Sequence, residues 1–182
     1  MSVIKTILKE VETVISQVEE GQLKTLASEL HQAKRIFIIG EGRSGLMAKS
    51  FAMRLMHLGA TVYVVGETIT PSIEQGDLLV AVSGSGTTKS VVWTSEKTQS
   101  IGCSVMAVTT NPESPLAAAS THILHVPAAT KYRRENELQT IQPLGSLFDQ
   151  SVHILFDTIC LLFGKLNEVD HSEAFGRHSN LE

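Results

Sequence analysis

The chain has 182 residues, of which 42% are hydrophobic and 19% charged, enough for one domain with a sizeable buried core. Its net charge of −4 excludes the basic character typical of nucleic-acid-binding domains, so we expect no nucleic-acid partner. The apolar runs fall short of a membrane span and the N-terminus lacks the apolar core of a signal peptide, so we expect a cytoplasmic protein without a membrane partner.

The N-terminal residues predict two helical segments. Apolar residues from Val3 to Val18 recur at spacings of three and four, which indicates an amphipathic helix. Gly21 is predicted to interrupt this helix, and the apolar residues between Leu23 and Leu30 continue as a second segment. Residues 1–31 therefore form an extra helical segment in front of the rest of the chain.

Short apolar runs then alternate with helical segments. The runs that predict strands are RIFIIG and residues 61–66, 77–83, 103–110 and 122–127. The predicted helices are residues 45–59, ended by Gly59, and residues 87–100, 115–120 and 145–166. Strands that alternate with helices pair in parallel through right-handed crossovers. We therefore predict a three-layer α/β/α sandwich with a five-stranded parallel sheet over residues 34–166.

Two stretches lack a regular apolar period. Residues 129–140 are polar and are predicted to form a loop before the last helix. Residues 167–182 form a predicted polar tail. No internal repeat or linker divides the chain, so residues 1–182 are predicted to form a single domain.

The loop after the first strand fits a dinucleotide-binding pattern. Gly40, Gly42 and Gly45 match G-x-G-x-x-G, and Glu67 lies where a ribose-binding carboxylate would be expected. A small NAD-binding protein is therefore one alternative. The loop after the third strand argues against it, because it is a second and stronger phosphate-binding pattern that such a protein does not need. If the chain does not bind a dinucleotide, Glu67 is a helix or turn residue.

This second loop, SGSGTT, predicts an anion site. Its glycines let backbone N–H groups converge, and the following helix start adds partial positive charge. Its candidate binding residues are Ser83, Gly84, Ser85, Gly86, Thr87 and Thr88. Ser44, in the first loop, offers a further hydroxyl across the crevice. A plain capped turn is the alternative, but the two loops together favour one small phosphorylated ligand.

Five segments together resemble a known family: GEGRSGLMAKSFAMRLMHLG, VVGETITPSI, GDLLVAVSGSGTTKSVV, TIQPLGSLFDQ and HSNLE. They resemble the 6-phospho-3-hexuloisomerases, which are SIS (sugar isomerase) domain proteins of the ribulose monophosphate pathway. The resemblance implies a flavodoxin-like sheet and the conversion of D-arabino-3-hexulose 6-phosphate into fructose 6-phosphate through a cis-enediol. It also implies a homotetramer built from dimers, sites near subunit boundaries, and no metal or redox cofactor.

The resemblance also suggests catalytic residues. The carboxylate at the start of the last helix corresponds to Asp149, although the family more typically has glutamate there and aspartate reaches less far. His57 is a candidate proton shuttle because its pKa is near neutral, and His178, in the tail, is a candidate to reach a neighbouring subunit's site. Which of the three is the base stays open. A favourable acid at a helix start and a histidine at a helix end are the structural alternatives for Asp149 and His57.

The remaining candidates are expected to be structural. Cys103 and Cys160 lie in apolar surroundings and are predicted to be reduced core thiols, and His122 and His125 flank a strand. No spacing of histidines, cysteines and carboxylates supports a metal site. Two other functions stay open, a sugar-phosphate sensor without turnover and a SIS isomerase of another sugar, such as arabinose 5-phosphate.

Overall fold

A five-stranded sheet lies at the centre of the structure, a computed structural model that describes residues 2–181. The strands are β1 (Ile36–Gly40), β2 (Val62–Val64), β3 (Leu78–Val82), β4 (Ser104–Thr109) and β5 (His122–His125). Their order is β2-β1-β3-β4-β5 and every pair is parallel. The predicted parallel sheet is therefore confirmed, with the strand order of flavodoxin-like folds.

Helices cover both faces of the sheet. They are α1 (Val3–Ile15), α2 (Glu20–Gln32), α3 (Gly42–His57), α4 (Lys89–Ser100), α5 (Pro115–Ala118), α6 (Ser146–Leu166) and α7 (His171–Gly176). Residues of α1, α2, α3 and α6 pack on one face of the sheet, and residues of α4 and α5 pack on the other. This arrangement is the predicted three-layer sandwich.

Alternating side chains of each strand build two separate cores. In β1, Ile36 and Ile38 join the larger core with α1, α2, α3 and α6. Phe37 and Ile39, the alternate residues of the strand, point into the smaller core with α4 and α5. A strand buried on both faces needs a continuous apolar run rather than an alternating one, and the IFIIG sequence of β1 is such a run.

Two predictions about the chain ends were wrong. The break between α1 and α2 falls at residues 16–19, and Gly21 lies inside the first turn of α2. A Cβ on Gly21 would meet no atom within 4 Å, so this exposed glycine does not force a break. The tail contains the short helix α7, which begins with a reciprocal capping box between Asp170 and Glu173. Six residues are too few to show a helical period.

The last core helix, α6, is long and strongly apolar. Its 21 residues have the length and hydropathy of a membrane-spanning helix, and it is the one helix within residues 2–181 with this property. However, 61% of its most apolar window is buried inside the protein. Phe156 of α6 stacks on Phe51 of α3 with ring centroids 4.1 Å apart. A helix at the centre of a core layer accounts for this composition.

The strand order creates a crevice at one end of the sheet. From β1 the chain crosses to β2 on one side, and it then returns to β3 on the other side of β1. The loops that follow β1 and β3 therefore diverge from the same point. Such a switch point is where open parallel sheets bind their ligands.

Candidate active site

A crevice of about 600 Å³ opens beyond the carboxyl ends of β1 and β3. Its walls are residues 41–44 after β1, residues 82–85 and Thr88 after β3, residues 143–146 with Phe148 and Asp149 at the start of α6, and Thr130 and Lys131. The first turns of α3, α4 and α6 thus meet at one cavity. Each helix start presents N–H groups and partial positive charge, which favours an anionic ligand.

Glycines bring the start of α3 close to β1. A Cβ on Gly45 would lie 2.6 Å from the carbonyl oxygen of Gly40, closer than any side chain permits. Gly42 has φ +56°, a left-handed conformation that favours glycine. The G-x-G-x-x-G spacing therefore serves a tight strand-to-helix turn, which places Arg43 and Ser44 in the crevice.

The loop after β3 is ordered by its own hydroxyl groups. The side chain of Ser83 is buried, and its Oγ lies 2.8 Å from Oγ1 of Thr88 and accepts the Gly86 N–H at 3.2 Å. Ser85 Oγ accepts both the N–H and the hydroxyl of Thr87. The loop is thus held in a curled shape beside the first turn of α4.

Four of the six predicted loop residues line the crevice: Ser83, Gly84, Ser85 and Thr88. The other two, Gly86 and Thr87, do not. Gly86 has φ +66°, and a Cβ there would overlap the hydroxyl of Ser114, so this glycine is required by packing behind the loop. Thr87 is exposed and supports Ser85.

Asp149 lies in the first turn of α6 and its side chain is 6% exposed. Ser44 donates its hydroxyl hydrogen to Asp149 Oδ1 at 2.7 Å. Arg43 Nε lies 3.6 Å from Asp149 Oδ2, and Arg43 Nη1 donates to Ser146 Oγ at 3.0 Å. The carboxylate is therefore oriented by two residues from the opposite wall of the crevice.

Burial raises the pKa of Asp149 above its usual range, because the ionised form loses hydration. The hydrogen bond from Ser44 and the charge of Arg43 offset only part of this effect. A carboxylate with a raised pKa is a stronger base while it is still ionised near neutral pH. These are the properties required to remove a proton from carbon.

Arg43, Glu41 and Lys131 line the crevice, and the sequence analysis missed all three. Arg43 and Glu41 belong to the GEGRSG loop directly after a buried strand, which was a sufficient signal to consider them. Glu41 accepts a hydrogen bond from Ser90 Oγ at 2.7 Å and so links the starts of α3 and α4. Lys131 lies in an aperiodic loop, where no sequence pattern distinguishes it from other exposed lysines.

His57 and His178 lie away from the crevice of their own chain. His57 lies thirteen positions after Ser44 on α3, a rise of about 20 Å. The rings of His57 and His178 stack with centroids 5.3 Å apart, and Arg177 donates to the carbonyl of His57. Burial, with the nearby Arg54 and His178, lowers the pKa of His57. Within one chain the structure therefore does not bring the three candidate catalytic residues together.

The other polar candidates have structural surroundings. Glu67 lies in the turn after β2, where its carboxylate pairs with Lys49 at 2.9 Å, so it is a turn residue. His122 lies 3.4 Å from Glu29, and His125 Nε2 lies 3.1 Å from the carbonyl of Thr110. Within residues 2–181, no three histidine, cysteine or carboxylate side chains converge to hold a metal ion.

Both cysteines are buried and unpaired, as predicted. Burial raises the pKa of Cys160 to about 12, and it also raises that of Cys103. Neither thiol lines the crevice. Their environment is that of core side chains rather than of reactive nucleophiles.

Comparison with known proteins gives a consistent result. The SIS domain family model matches residues 29–153. The chain is 39% identical to the 3-hexulose-6-phosphate isomerase of Bacillus subtilis, over 98% of this chain and 97% of that protein. It is 41% identical to the 3-hexulose-6-phosphate isomerase of Mycobacterium gastri, over 95% of this chain and 86% of that protein.

A solved structure extends this similarity to the backbone. The crystal structure of a hypothetical protein from Methanococcus jannaschii, for which a function of 3-hexulose-6-phosphate isomerase has been inferred, superimposes with a TM-score of 0.85. The two chains are 31% identical, and the match covers 98% of each. The similarity therefore extends over the whole fold.

Proposed function

The chain belongs to the SIS domain family and, within it, to the 3-hexulose-6-phosphate isomerases, and we propose that it interconverts 3-hexulose 6-phosphate and fructose 6-phosphate in the crevice beyond β1 and β3. One observation carries the assignment of the site. A buried carboxylate with a raised pKa, Asp149, shares one cavity with a hydroxyl-rich loop at a helix start. A base and an anion anchor in one crevice are what the isomerisation of a sugar phosphate requires.

The phosphate is anchored at the start of α4 in this proposal. The N–H groups of the first turn of a helix have no acceptor within the helix and are free to bind phosphate oxygens. Ser83, Ser85 and Thr88 supply hydroxyl groups beside them. The sugar carbons then extend along the cavity toward Asp149.

Asp149 moves the proton between carbons. In the direction of fructose 6-phosphate, its carboxylate takes the proton from C2, and the electrons of the C–H bond form the C2–C3 double bond of a cis-enediolate. A proton from the Asp149 carboxyl, which exchanges with solvent while the enediolate exists, then adds to C3 and places the carbonyl at C2. In the same sequence the hydroxyl proton leaves O2 and O3 gains a proton, so the atoms balance without a redox partner.

Arg43 and Ser44 assist this transfer. The guanidinium group of Arg43 lies beside Asp149 and is half exposed to the crevice, so it can stabilise negative charge on the enediolate oxygens. Arginine keeps its proton in proteins, so it acts as a fixed charge and not as an acid. Ser44 holds the carboxylate in one orientation.

We extend the proposal to assembly as a homotetramer built from dimers. Three neighbouring helices on one face expose large apolar side chains: Val3, Ile4 and Leu8 on α1, Leu46, Met53 and Met56 on α3, and Ile154, Leu161 and Leu166 on α6. An apolar surface of this kind supports association with further copies of the chain. His178, with His57 behind it, would then act in the crevice of another copy and carry protons between the substrate oxygens.

Mixing two inactive variants tests this assembly. Asp149→Asn chains and His178→Ala chains are unfolded together and refolded, so that hybrid oligomers contain crevices with both residues intact. Recovery of activity in the mixture supports a histidine supplied by another copy. A mixture no more active than its components argues that His178 has no such role.

A coupled assay tests the reaction itself. Hexulose phosphate is generated from ribulose 5-phosphate and formaldehyde by a synthase, and fructose 6-phosphate is detected through glucose-phosphate isomerase and dehydrogenase. Turnover of hexulose phosphate, without turnover of arabinose 5-phosphate, is the expected result. Binding without turnover would identify a sensor, and a preference for arabinose 5-phosphate would identify a different isomerase.

A further inference from the structure

One wall of the crevice is a long segment without helix or strand. This wall segment, residues 126–145, connects β5 to α6 and contributes Thr130, Lys131, Pro143 and Leu144 to the cavity. Ordered loops of this length are uncommon in compact domains, and those that occur usually carry function. Its shape therefore contributes directly to the space available to the substrate.

The backbone of the wall segment is strained at two positions. Arg133 has φ +49° and Leu144 has φ +51°, and they are two of the three non-glycine residues with positive φ in the described part of the chain. Side chains longer than glycine adopt this conformation only where surrounding contacts enforce it. Surrounding contacts must therefore enforce the backbone conformation at both positions.

Contacts within the segment hold its first half. Glu137 accepts the N–H of Thr130 at 2.8 Å and the Thr130 hydroxyl at 2.6 Å. Arg133 donates to the carbonyl of Gln142 and so joins the first half to the second. The side chains of Thr130 and Gln142 are both buried.

A contact from outside the segment holds its second half. Glu10, on α1, accepts hydrogen bonds from the Thr140 hydroxyl at 2.6 Å, the Ile141 N–H at 2.9 Å and the Gln142 side-chain amide at 3.1 Å. Glu10 does not line the crevice, but the residues it holds directly precede Pro143 and Leu144, which do. The helix that carries it is fixed in the core by the buried Val11 and Val14.

The surroundings of Glu10 favour its ionised form. Partial burial opposes its ionisation, but the three hydrogen bonds and the charge of Arg133 outweigh burial and lower its pKa. Hydrogen bonds to an ionised acceptor are about twice as strong as neutral ones. The contact therefore combines charge with three convergent donors.

We propose that Glu10 is a positioning residue for substrate binding, because it fixes the second half of the wall segment and thereby the place of Pro143 and Leu144 at the crevice. This inference rests on the proposed function, since it assumes that the crevice binds the sugar phosphate. It assigns a role in the site to the N-terminal helix, which contributes no residue to the crevice wall. The role affects substrate affinity rather than the proton transfer, which belongs to Asp149.

Glu10→Gln tests the inference in the full-length protein, with Glu12→Gln, an exposed residue on the same helix, as its control. Glutamine keeps the shape of Glu10 but replaces one acceptor oxygen with a donor that faces other donors. We expect KM and the dissociation constant of fructose 6-phosphate to rise about tenfold, with kcat within about twofold. Hydrogen exchange of backbone amides in residues 138–145 should increase, and Glu12→Gln should match the wild type.

Two results would overturn the inference. One is an unchanged KM and unchanged exchange in Glu10→Gln. The other is a fall in kcat with unchanged KM, because a positioning residue for the wall does not act on the reacting carbons. The affinity for fructose 6-phosphate is measured by calorimetry, which does not require turnover. A wild-type chain that binds fructose 6-phosphate without turnover would contradict the proposed function, but the affinities of Glu10→Gln and the wild type could still be compared.

Discussion

Ser44 donates a hydrogen bond of 2.7 Å to Asp149 across the crevice, although 105 positions separate them in the chain. Ser44 follows β1 at the start of α3, and Asp149 lies at the start of α6. The contact joins the glycine-rich loop to the candidate base and determines which carboxylate oxygen is left to face a substrate. The chemistry proposed for the crevice depends on this pair.

Replacing Ser44 with alanine should shift the pH dependence of the reaction. The hydrogen bond from Ser44 stabilises the ionised carboxylate, so its loss raises the pKa of Asp149 further. Because the base must be ionised, activity falls as pH decreases through this pKa. The acidic limb of the kcat profile should therefore move to higher pH in Ser44→Ala, with kcat reduced about tenfold at neutral pH.

The control for Ser44 is Ser100→Ala, at the exposed far end of α4. Its pH profile should superimpose on that of the wild type. A Ser44→Ala profile with an unmoved acidic limb would show that the group titrating in the profile is not Asp149.

Removing the charge of Arg43 should reduce the rate more strongly. Arg43→Met keeps an aliphatic chain but removes the donor groups beside Asp149 and Ser146. A donor aimed at developing charge typically contributes a factor of about 100 to 1,000 in kcat. Steady-state kinetics of Arg43→Met and of Lys49→Met, an exposed neighbour on α3, provide the comparison. Equal kcat values in the two variants would remove Arg43 from the mechanism.

Asp149→Asn should stabilise the fold at neutral pH. In the folded state the pKa of Asp149 is raised, so the folded protein binds this proton more tightly than the unfolded chain. Its contribution to stability is therefore favourable at acidic pH and is lost as pH rises through the range between the unfolded and the folded pKa. Asparagine carries no charge and avoids this loss.

Thermal unfolding measures this effect. Asp149→Asn should have a higher Tm than the wild type at neutral pH, and the difference should shrink as the pH approaches the ordinary carboxyl pKa. Asp157→Asn, on the exposed side of the same helix, should show no such pH-dependent gain. A lower Tm for Asp149→Asn at neutral pH would mean that its interactions with Ser44 and Arg43 outweigh the cost of burial.

Two glycine variants separate the tight turn from an ordinary helix position. Gly45→Ala should lower the free energy of unfolding by about 2 kcal/mol or more, because its Cβ would meet the backbone of Gly40 at 2.6 Å. Gly21→Ala should raise it by about 0.5–1 kcal/mol, because it lies in a helix with no neighbour in reach. Urea unfolding of both variants measures whether the free energy of unfolding falls or rises. A tolerated Gly45→Ala would refute the close approach of α3 to β1.

Local patterns were enough to predict the layers and the sheet. Continuous apolar runs such as that of β1 identify strands buried on both faces, and the alternation with helices fixes parallel pairing. The break before α2 was misplaced because glycine was treated as a breaker, whereas Gly21 in a first turn is exposed and tolerated. The short helix α7 produces no period that could have revealed it, whereas the lack of a period in residues 129–140 correctly predicted a loop before α6.

The site was only partly predictable because its contacts join distant parts of the chain. The composition of the SGSGTT loop predicted an anion site, and the family resemblance indicated Asp149 as a candidate base. No local pattern pairs Arg43 or Ser44 with Asp149, since only the fold brings the starts of α3 and α6 together. His57 and His178 were candidates for proton transfer because of their residue type. The length of α3 places His57 at the end of the helix far from the crevice, and His178 stacks on it there.

The most direct test of the account is proton exchange at carbon. Fructose 6-phosphate is incubated with the protein in D2O, and deuterium at C3 is followed by NMR, with Asp149→Asn and Asp157→Asn alongside. The account predicts exchange at C3 and not at C1 in the wild type and in Asp157→Asn, and a decrease of about 100-fold or more in Asp149→Asn. Exchange at C3 at the wild-type rate in Asp149→Asn would contradict the assignment of Asp149 as the base.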